Sequence, residues 1–182
     1  MDLPYQINTK RLILRFLNHD DFNIFSEIAI ADSISENLNF IFKIKAVENV
    51  RTFFQKIVDS INTSQPILTF LIFNKDLGKY IGSCGLVYSK DNKEAICFYL
   101  LLPRYRGFGF AIEAMKKLIE FAFSKFVLLK IITYINPKCS KVWKVAERVG
   151  MKYLGHIYLD EISSKAMYFS INKKEFEDQQ II

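Results

Sequence analysis

The sequence predicts an α/β (α+β) fold with one mixed, mostly antiparallel sheet of about seven strands flanked by about four helices. Its length supports a single core, because 182 residues correspond to one domain at about 150 residues each. Its composition supplies that core, since 51% of the residues are hydrophobic and 17 are Phe. Its periodicity fixes the class, because helical spacing and strand alternation both occur along the chain.

The predicted strands lie where apolar residues alternate with polar ones or run together between turn residues. The turns at residues 75–78 and 89–93 are short and polar, so the three strands around them form an antiparallel meander. The strands are expected over residues 11–17, 67–74, 79–89, 94–102, 128–135, 151–159 and 165–172.

The predicted helices lie where apolar residues recur at every third or fourth position and therefore share one face. Polar residues 18–21 can cap the first helix, and the third begins at the glycines of residues 107–109. The helices are expected over residues 20–31, 47–61, 110–126 and 139–149. Residues 1–182 then form one domain, with residues 173–182 as a short C-terminal tail.

The cysteine and apolar patterns exclude several classes of protein. Cys84, Cys97 and Cys139 lie far apart and the chain has 2 His, which disfavours a metal site or a disulfide framework. No apolar run approaches the ~18 residues of a membrane span, and Asp2 stands where a signal peptide would be basic. We therefore expect no metal, no membrane association, and a cytoplasmic protein with free thiols.

The charge balance favours an anionic ligand without favouring nucleic acid. The formal net charge is +6, which attracts polyanions. The basic residues, however, form short scattered clusters and lack the aromatic-interleaved basic stripe of a typical nucleic-acid binder. A basic nucleic-acid-binding module is therefore a remote alternative.

One local motif carries specific chemistry: a buried-type strand that runs through a glycine turn into a helix. The amides of a helix N-terminus favour an anion such as a pyrophosphate, and glycines allow it to approach closely. Ile112 and the lack of acidic residues over 124–135 rule out a P-loop and a Rossmann fingerprint. What remains is R-x-x-G-x-G, formed by Arg104, Gly107 and Gly109, or a plain strand-to-helix turn.

Four motifs in order resemble the GNAT superfamily of acetyl-CoA-dependent N-acetyltransferases, within it the RimJ/RimL-like branch that acetylates ribosomal-protein alanines. Residues 9–15 are similar to that branch's T-x-R-L-x-L-R opening, and residues 81–86 to its I-G-x-x-G-L strand. Residues 99–114 follow its acetyl-CoA motif, and residues 146–151 are like its late signature. The resemblance covers nearly the whole chain.

The resemblance implies that acetyl-CoA is the co-substrate and that this part of the chain binds it. Pantetheine is expected alongside the strand at Leu100, Leu101 and Leu102, where a backbone N–H would meet the acetyl carbonyl. The pyrophosphate is expected on the amides of residues 106–111, with two arginines adding charge. The expected cofactor-binding residues after the strand are Arg104, Arg106, Gly107, Phe108, Gly109, Phe110 and Ala111.

The resemblance also implies the reaction class and leaves the acceptor open. An acetyl group would move to a primary amine by direct attack in a ternary complex, in a monomer or a homodimer. The acceptor would be a ribosomal or other protein N-terminus, or a small-molecule amine. The alternative is an acyl-CoA-binding protein of the same fold with weak or no catalysis.

The chain departs from the family where side-chain catalysts are usual. Cys139 stands at the position of the pantetheine-binding Asn, which makes it an expected cofactor contact. Val142 replaces a Ser or Ala, Ala146 replaces a Tyr that often acts as general acid, and Ile96 replaces an acidic residue. These substitutions keep the non-catalytic alternative open.

Two other residues are the candidate catalysts. Glu94 lies two residues before Ile96, hence on the same strand face, and is the candidate base that deprotonates the amine. Tyr168 on the last predicted strand is a candidate acid. A dedicated acid is dispensable, because a thiol with pKa near ~8.5 leaves readily.

Cys139 stands at the family's Asn position, where it could either fill space or act as a nucleophile next to Lys138. These two roles predict different effects of substitution. We expect Cys139→Asn to keep or raise activity and Cys139→Ala to be tolerated, since no partner base is visible nearby. Intact-mass analysis with acetyl-CoA alone should show no acetyl adduct. An acetylated Cys139 that transfers to the amine at the turnover rate would contradict direct attack.

Overall fold

The computed structural model describes residues 4–31, 47–61, 63, 66–89, 93–138, 142–160 and 164–180. Within these ranges one eight-stranded sheet has the order β1-β2-β3-β4-β5-β6-β8-β7, and all its neighbours are antiparallel except β5 and β6. The mixed, mostly antiparallel sheet is thus confirmed. Its strands are β1 (Gln6–Asn8), β2 (Leu12–Phe16), β3 (Ile67–Asn74), β4 (Lys79–Tyr88), β5 (Glu94–Leu101), β6 (Lys130–Ile135), β7 (Lys152–Leu159) and β8 (Ser164–Asn172).

Helices cover both faces of the sheet. Side chains of α3, α4 and α5 share one core with the sheet, while side chains of α1 and α2 share a second core on the other face. Among the described residues, no helix has the length and apolar character that crossing a membrane requires. The helices are α1 (Phe22–Ala31), α2 (Val47–Ser60), α3 (Phe110–Lys125), α4 (Trp143–Arg148) and α5 (Lys173–Gln180).

Among the described residues, one strand and one α-helix were not predicted, and both are short. Strand β1 has three residues, of which only Ile7 is buried, too few for a periodicity to be visible. Helix α5 occupies residues expected as a C-terminal tail, and Phe176 holds it against the Phe123 ring of α3, with centroids 5.6 Å apart. Helix α4 begins at Trp143, later than the predicted residue 139, and residues 139–141 lie outside the described ranges.

A buried ion pair joins the end of β2 to the start of α1. The Arg15 side chain is 13% exposed and the Asp21 side chain 10%. Arg15 donates from Nη1 to Asp21 Oδ2 at 2.9 Å and from Nε to Tyr80 Oη at 2.6 Å, while Asp21 also accepts the Asn18 N–H. The hydrogen bond to Asp21 raises the pKa of Arg15. The network therefore fixes how α1 leaves the sheet.

Asp21→Ala should lower the free energy of unfolding by about 3 to 5 kcal/mol, because it leaves the Arg15 charge buried without its counterion. Glu120→Ala is the matched control, since Glu120 pairs with Lys117 on the surface of α3 and should cost at most about 0.5 kcal/mol. Urea unfolding of both variants checks this. Equal losses in the two variants would show that Arg15 is solvated rather than buried.

Candidate active site

A cleft opens in the sheet where β5 and β6 separate. The parallel register runs through Glu94↔Lys130, Ala95↔Ile131 and Ile96↔Ile132 and then ends, although β5 continues to residue 101 and β6 to residue 135. The gap holds about 470 Å³, including its solvent-open part. Its walls are residues 97–99 of β5, 133–135 of β6, and apolar side chains of α3 and α4. The separation exposes two strand edges to a long, narrow ligand.

The predicted pantetheine-binding triplet lies directly after the cleft-lining residues of β5. Leu100 and Leu102 pack in the core of α1 and α2, whereas Leu101 packs in the core of α3. The Leu102 N–H donates to the Ile81 carbonyl at 3.0 Å. The side chains of the triplet are therefore structural, and the cleft itself begins three residues earlier, at Cys97.

The glycine turn presents the N-terminus of α3 to solvent. Gly107 has φ +88° and Gly109, the N-cap of α3, has φ +79°, a left-handed conformation that favours glycine. A β-carbon added to Gly107 would have no neighbour within 4 Å, so the space in front of the turn is open. Phe108 is 63% exposed, while Phe110 and Ala111 are buried and anchor the first turn of α3.

The two arginines expected at the phosphates both contact the protein itself. The Arg104 guanidinium lies 3.6 Å from a Glu27 carboxylate oxygen of α1, and its hydrogen bond with Tyr105 raises its pKa. Arg106 donates to the Leu101 carbonyl from Nε at 3.1 Å and from Nη2 at 3.0 Å. Both charges lie beside the turn, and each guanidinium already has a partner there.

A clamp between the β1–β2 turn and α3 holds the glycine turn, and no sequence pattern predicted these contacts. Glu113 in the first turn of α3 accepts from Thr9 Oγ1 at 2.6 Å, the Arg11 N–H at 2.8 Å and Arg11 Nε at 2.6 Å. Arg11 Nη1 also donates to the Phe108 carbonyl at 3.0 Å. Burial alone would raise the pKa of Glu113, but these hydrogen bonds outweigh it and lower the pKa. Thr9, Arg11 and Glu113 all belong to motifs of the resemblance, which was the available signal.

Lys130, which no sequence pattern predicted as a site residue, lies between the two candidate catalysts Glu94 and Tyr168. Lys130 Nζ lies 2.8 Å from Glu94 Oε1 and 5.9 Å from the centre of the Tyr168 ring. The hydrogen bond to Glu94 raises the pKa of Lys130. Tyr168 in turn stacks on Tyr134, a cleft residue, with ring centroids 5.7 Å apart. Glu94, Lys130 and Tyr168 therefore form one polar group, and Tyr134 connects it to the cleft, since none of these three side chains lines the cleft itself.

The cleft wall is apolar where the family has side-chain catalysts. Val142 and Ala146 both line it, and Ala146 is 5% exposed. Cys97 also lines it, and burial raises the pKa of this thiol to about 12, which keeps it protonated and unreactive. Cys139 lies outside the described residues.

Residues 11–152, which include the cleft and the glycine turn, match the family model of the acetyltransferase (GNAT) domain. The chain belongs to this family. This GNAT protein is 28% identical over 131 residues to the uncharacterized N-acetyltransferase p20 of Bacillus licheniformis. The alignment covers 71% of this chain and 72% of p20. It is also 28% identical over 82 residues to the uncharacterized protein YkkB of Bacillus subtilis.

The YkkB match covers 44% of this chain and about half, 48%, of YkkB. Among solved structures, RimL, a ribosomal L7/L12 alpha-N-protein acetyltransferase in complex with coenzyme A, has a TM-score of 0.75 at 15% identity. That superposition covers 92% of this chain and 97% of RimL. The RimL comparison shows the fold, and the family match shows that residues 11–152 form an acetyltransferase (GNAT) domain.

Gly109→Val should abolish acetyl-CoA binding measured by calorimetry, because a branched side chain at positive φ strains the turn and enters the space in front of α3. Gly78→Val is the matched control. Gly78 also has positive φ, +62°, and open space around an added β-carbon, but it lies in the β3–β4 turn. We expect the control to bind like the unmodified protein. Unchanged binding by Gly109→Val would exclude this turn as the site.

Proposed function

We propose that this protein transfers the acetyl group of acetyl-CoA to a primary amine by direct attack in a ternary complex. The supporting observation is that one continuous segment forms both the edge of the β5–β6 cleft and the exposed glycine turn of α3. A cleft between strands suits an extended chain with amide groups, and a helix N-terminus suits a diphosphate. Acetyl-CoA combines these two chemical features in one molecule.

The described residues fit acetyl-CoA at both ends. In this proposal the pantetheine lies along residues 97–102 of β5, and backbone groups of the separated strand bind its amides. The diphosphate lies on the amides of residues 106–111, where an added β-carbon at Gly107 would meet only open space. Acetyl-CoA supplies an activated thioester, and a backbone N–H of β5 stabilises the oxyanion formed during attack.

The acceptor amine must lose a proton before it attacks, and we assign the base role to Glu94. Its carboxylate is 38% exposed. Glu94 is the first residue of the β5–β6 register and shares its strand face with Ile96, the last residue before the two strands separate. Lys130 fixes the carboxylate through the 2.8 Å contact. In this proposal a proton relayed through water reaches Glu94 from the cleft, and Tyr168 is the candidate donor to the leaving thiolate.

The RimJ/RimL-like motifs of the sequence support a protein acceptor. RimL, which shares the fold, is a ribosomal L7/L12 alpha-N-protein acetyltransferase. A protein N-terminal amine is thus our first candidate acceptor, and small-molecule amines are the second. We further propose that the protein acts in the cytoplasm, as a monomer or a homodimer.

An acyl-CoA-binding protein with weak catalysis is the second candidate function. It is favoured by the apolar side chains of Val142 and Ala146 at the cleft wall, where the family resemblance places catalytic or binding side chains. In that case the protein binds acetyl-CoA but releases little free thiol with any amine. The two candidate functions therefore differ in turnover and agree in binding.

Two measurements test the proposed function. Acetyl-CoA at 100 times its Kd should stabilise the protein by about 2.7 kcal/mol in thermal unfolding, whereas duplex DNA should not. Release of CoA thiol should then be screened against N-terminal peptides, polyamines and amino sugars. Stabilisation without thiol release supports the binding protein, and stabilisation by DNA alone refutes both candidates.

Glu94→Gln should lower kcat by about 10²-fold or more, because the amide cannot take the proton of the amine. Glu147→Gln is the control, since Glu147 is an exposed residue of α4. Both variants should bind acetyl-CoA like the unmodified protein, as calorimetry can verify. An unchanged kcat in Glu94→Gln would remove Glu94 from the base role.

A further inference from the structure

We infer that Arg11 binds the diphosphate of acetyl-CoA and that Glu113 is its positioning residue. This inference rests on the proposed function and adds a side chain to the backbone site at the glycine turn. The diphosphate, the most strongly charged part of the co-substrate, would then be bound by a residue of the β1–β2 turn, 97 positions before Phe108 in the sequence.

The contacts of Arg11 fix the orientation of its guanidinium. A guanidinium has five N–H donors in a rigid planar fork. Arg11 uses Nε for Glu113 and Nη1 for the Phe108 carbonyl, at 2.6 and 3.0 Å. Its plane also lies over the Phe110 ring, 4.6 Å from the centroid. Three contacts with the turn and with α3 thus fix the orientation of one guanidinium group.

The remaining N–H donors of Arg11 lie next to the space in front of α3. Among the described residues, Arg11 Nη2 has no hydrogen-bond partner, and it lies 3.6 Å from the position that a β-carbon on Gly109 would take. It therefore borders the same space in front of the N-cap that the proposed diphosphate fills. Guanidinium–phosphate hydrogen bonds are charge-assisted and directional, so two preoriented N–H groups there favour a phosphate oxygen.

Charge balance at the turn also depends on Arg11. Glu113 places a carboxylate in the first turn of α3, where it would repel a diphosphate. Its contacts with Arg11 and Thr9 neutralise and orient that carboxylate. The contacts of Arg104 and Arg106 lead to Glu27 and the Leu101 carbonyl, whereas those of Arg11 lead to Phe108, Phe110 and Glu113. These contacts hold the Arg11 guanidinium directly at the N-terminus of α3.

The test compares acetyl-CoA with S-acetylpantetheine, which has the same thioester arm but no diphosphate. Arg11→Lys keeps the charge but loses the planar fork, and it should weaken acetyl-CoA binding by about tenfold or more. Binding of S-acetylpantetheine should stay within about twofold, since that ligand lacks the group that Arg11 contacts. Glu113→Gln should also weaken the binding of acetyl-CoA relative to that of S-acetylpantetheine, because the Arg11 guanidinium is no longer held in place by a carboxylate.

Arg51→Lys is the matched control, because Arg51 also stacks on a phenylalanine, 4.3 Å over the Phe22 ring, but on α2. It should bind both ligands like the unmodified protein. Thermal unfolding without ligand identifies any variant that fails to fold. Should Arg11→Lys unfold, Glu113→Gln gives the same comparison, since it preserves the side-chain shape.

The outcomes separate this inference from the proposed function. If the unmodified protein does not bind acetyl-CoA, the proposed function fails, and the inference with it. If it binds but Arg11→Lys and Glu113→Gln bind acetyl-CoA as tightly, the inference alone is overturned. Equal loss of both ligands in Arg11→Lys would also overturn it, because that result indicates a fold effect rather than contact with the diphosphate.

Discussion

The short parallel register between β5 and β6 is the constraint on which the cleft depends. Once pairing ends at Ile96↔Ile132, the strands can separate only if something else holds each of them. β4 holds β5 through Leu101, and β8 holds β6 through Ile135. Each strand thus keeps a hydrogen-bonded partner on its outer side, and the sheet contains an opening without losing its continuity.

The sequence was sufficient for elements whose burial pattern repeats over several turns or alternations. Helix α2 spans Val47–Ser60 against a prediction of 47–61, because one apolar stripe faces the core. Strand β1 and helix α5 were missed because each buries a single large apolar side chain, Ile7 or Phe176. A single buried residue cannot show the apolar periodicity of a strand or a helix, so these two elements are defined only by tertiary packing.

The same distinction applies to the site. The glycine turn could be predicted because positive φ at Gly107 and Gly109 is a local backbone property, visible as residue type. Lys130 could not be predicted as the link between Glu94 and Tyr168, since that contact depends on the register of three strands. The contact of Arg104 with Glu27 could not be predicted either, since it joins positions far apart in the chain.

The clamp of Thr9 and Arg11 on Glu113 joins positions 104 and 102 residues apart. Contacts of such separation form only after a large loop of chain has been closed, which is slow compared with local helix or hairpin formation. During synthesis the N-terminal hairpin leaves the ribosome long before its carboxylate partner exists. The contacts that hold the glycine turn against Arg11 are therefore a product of the completed fold, and a peptide containing only β5 and α3 would lack them.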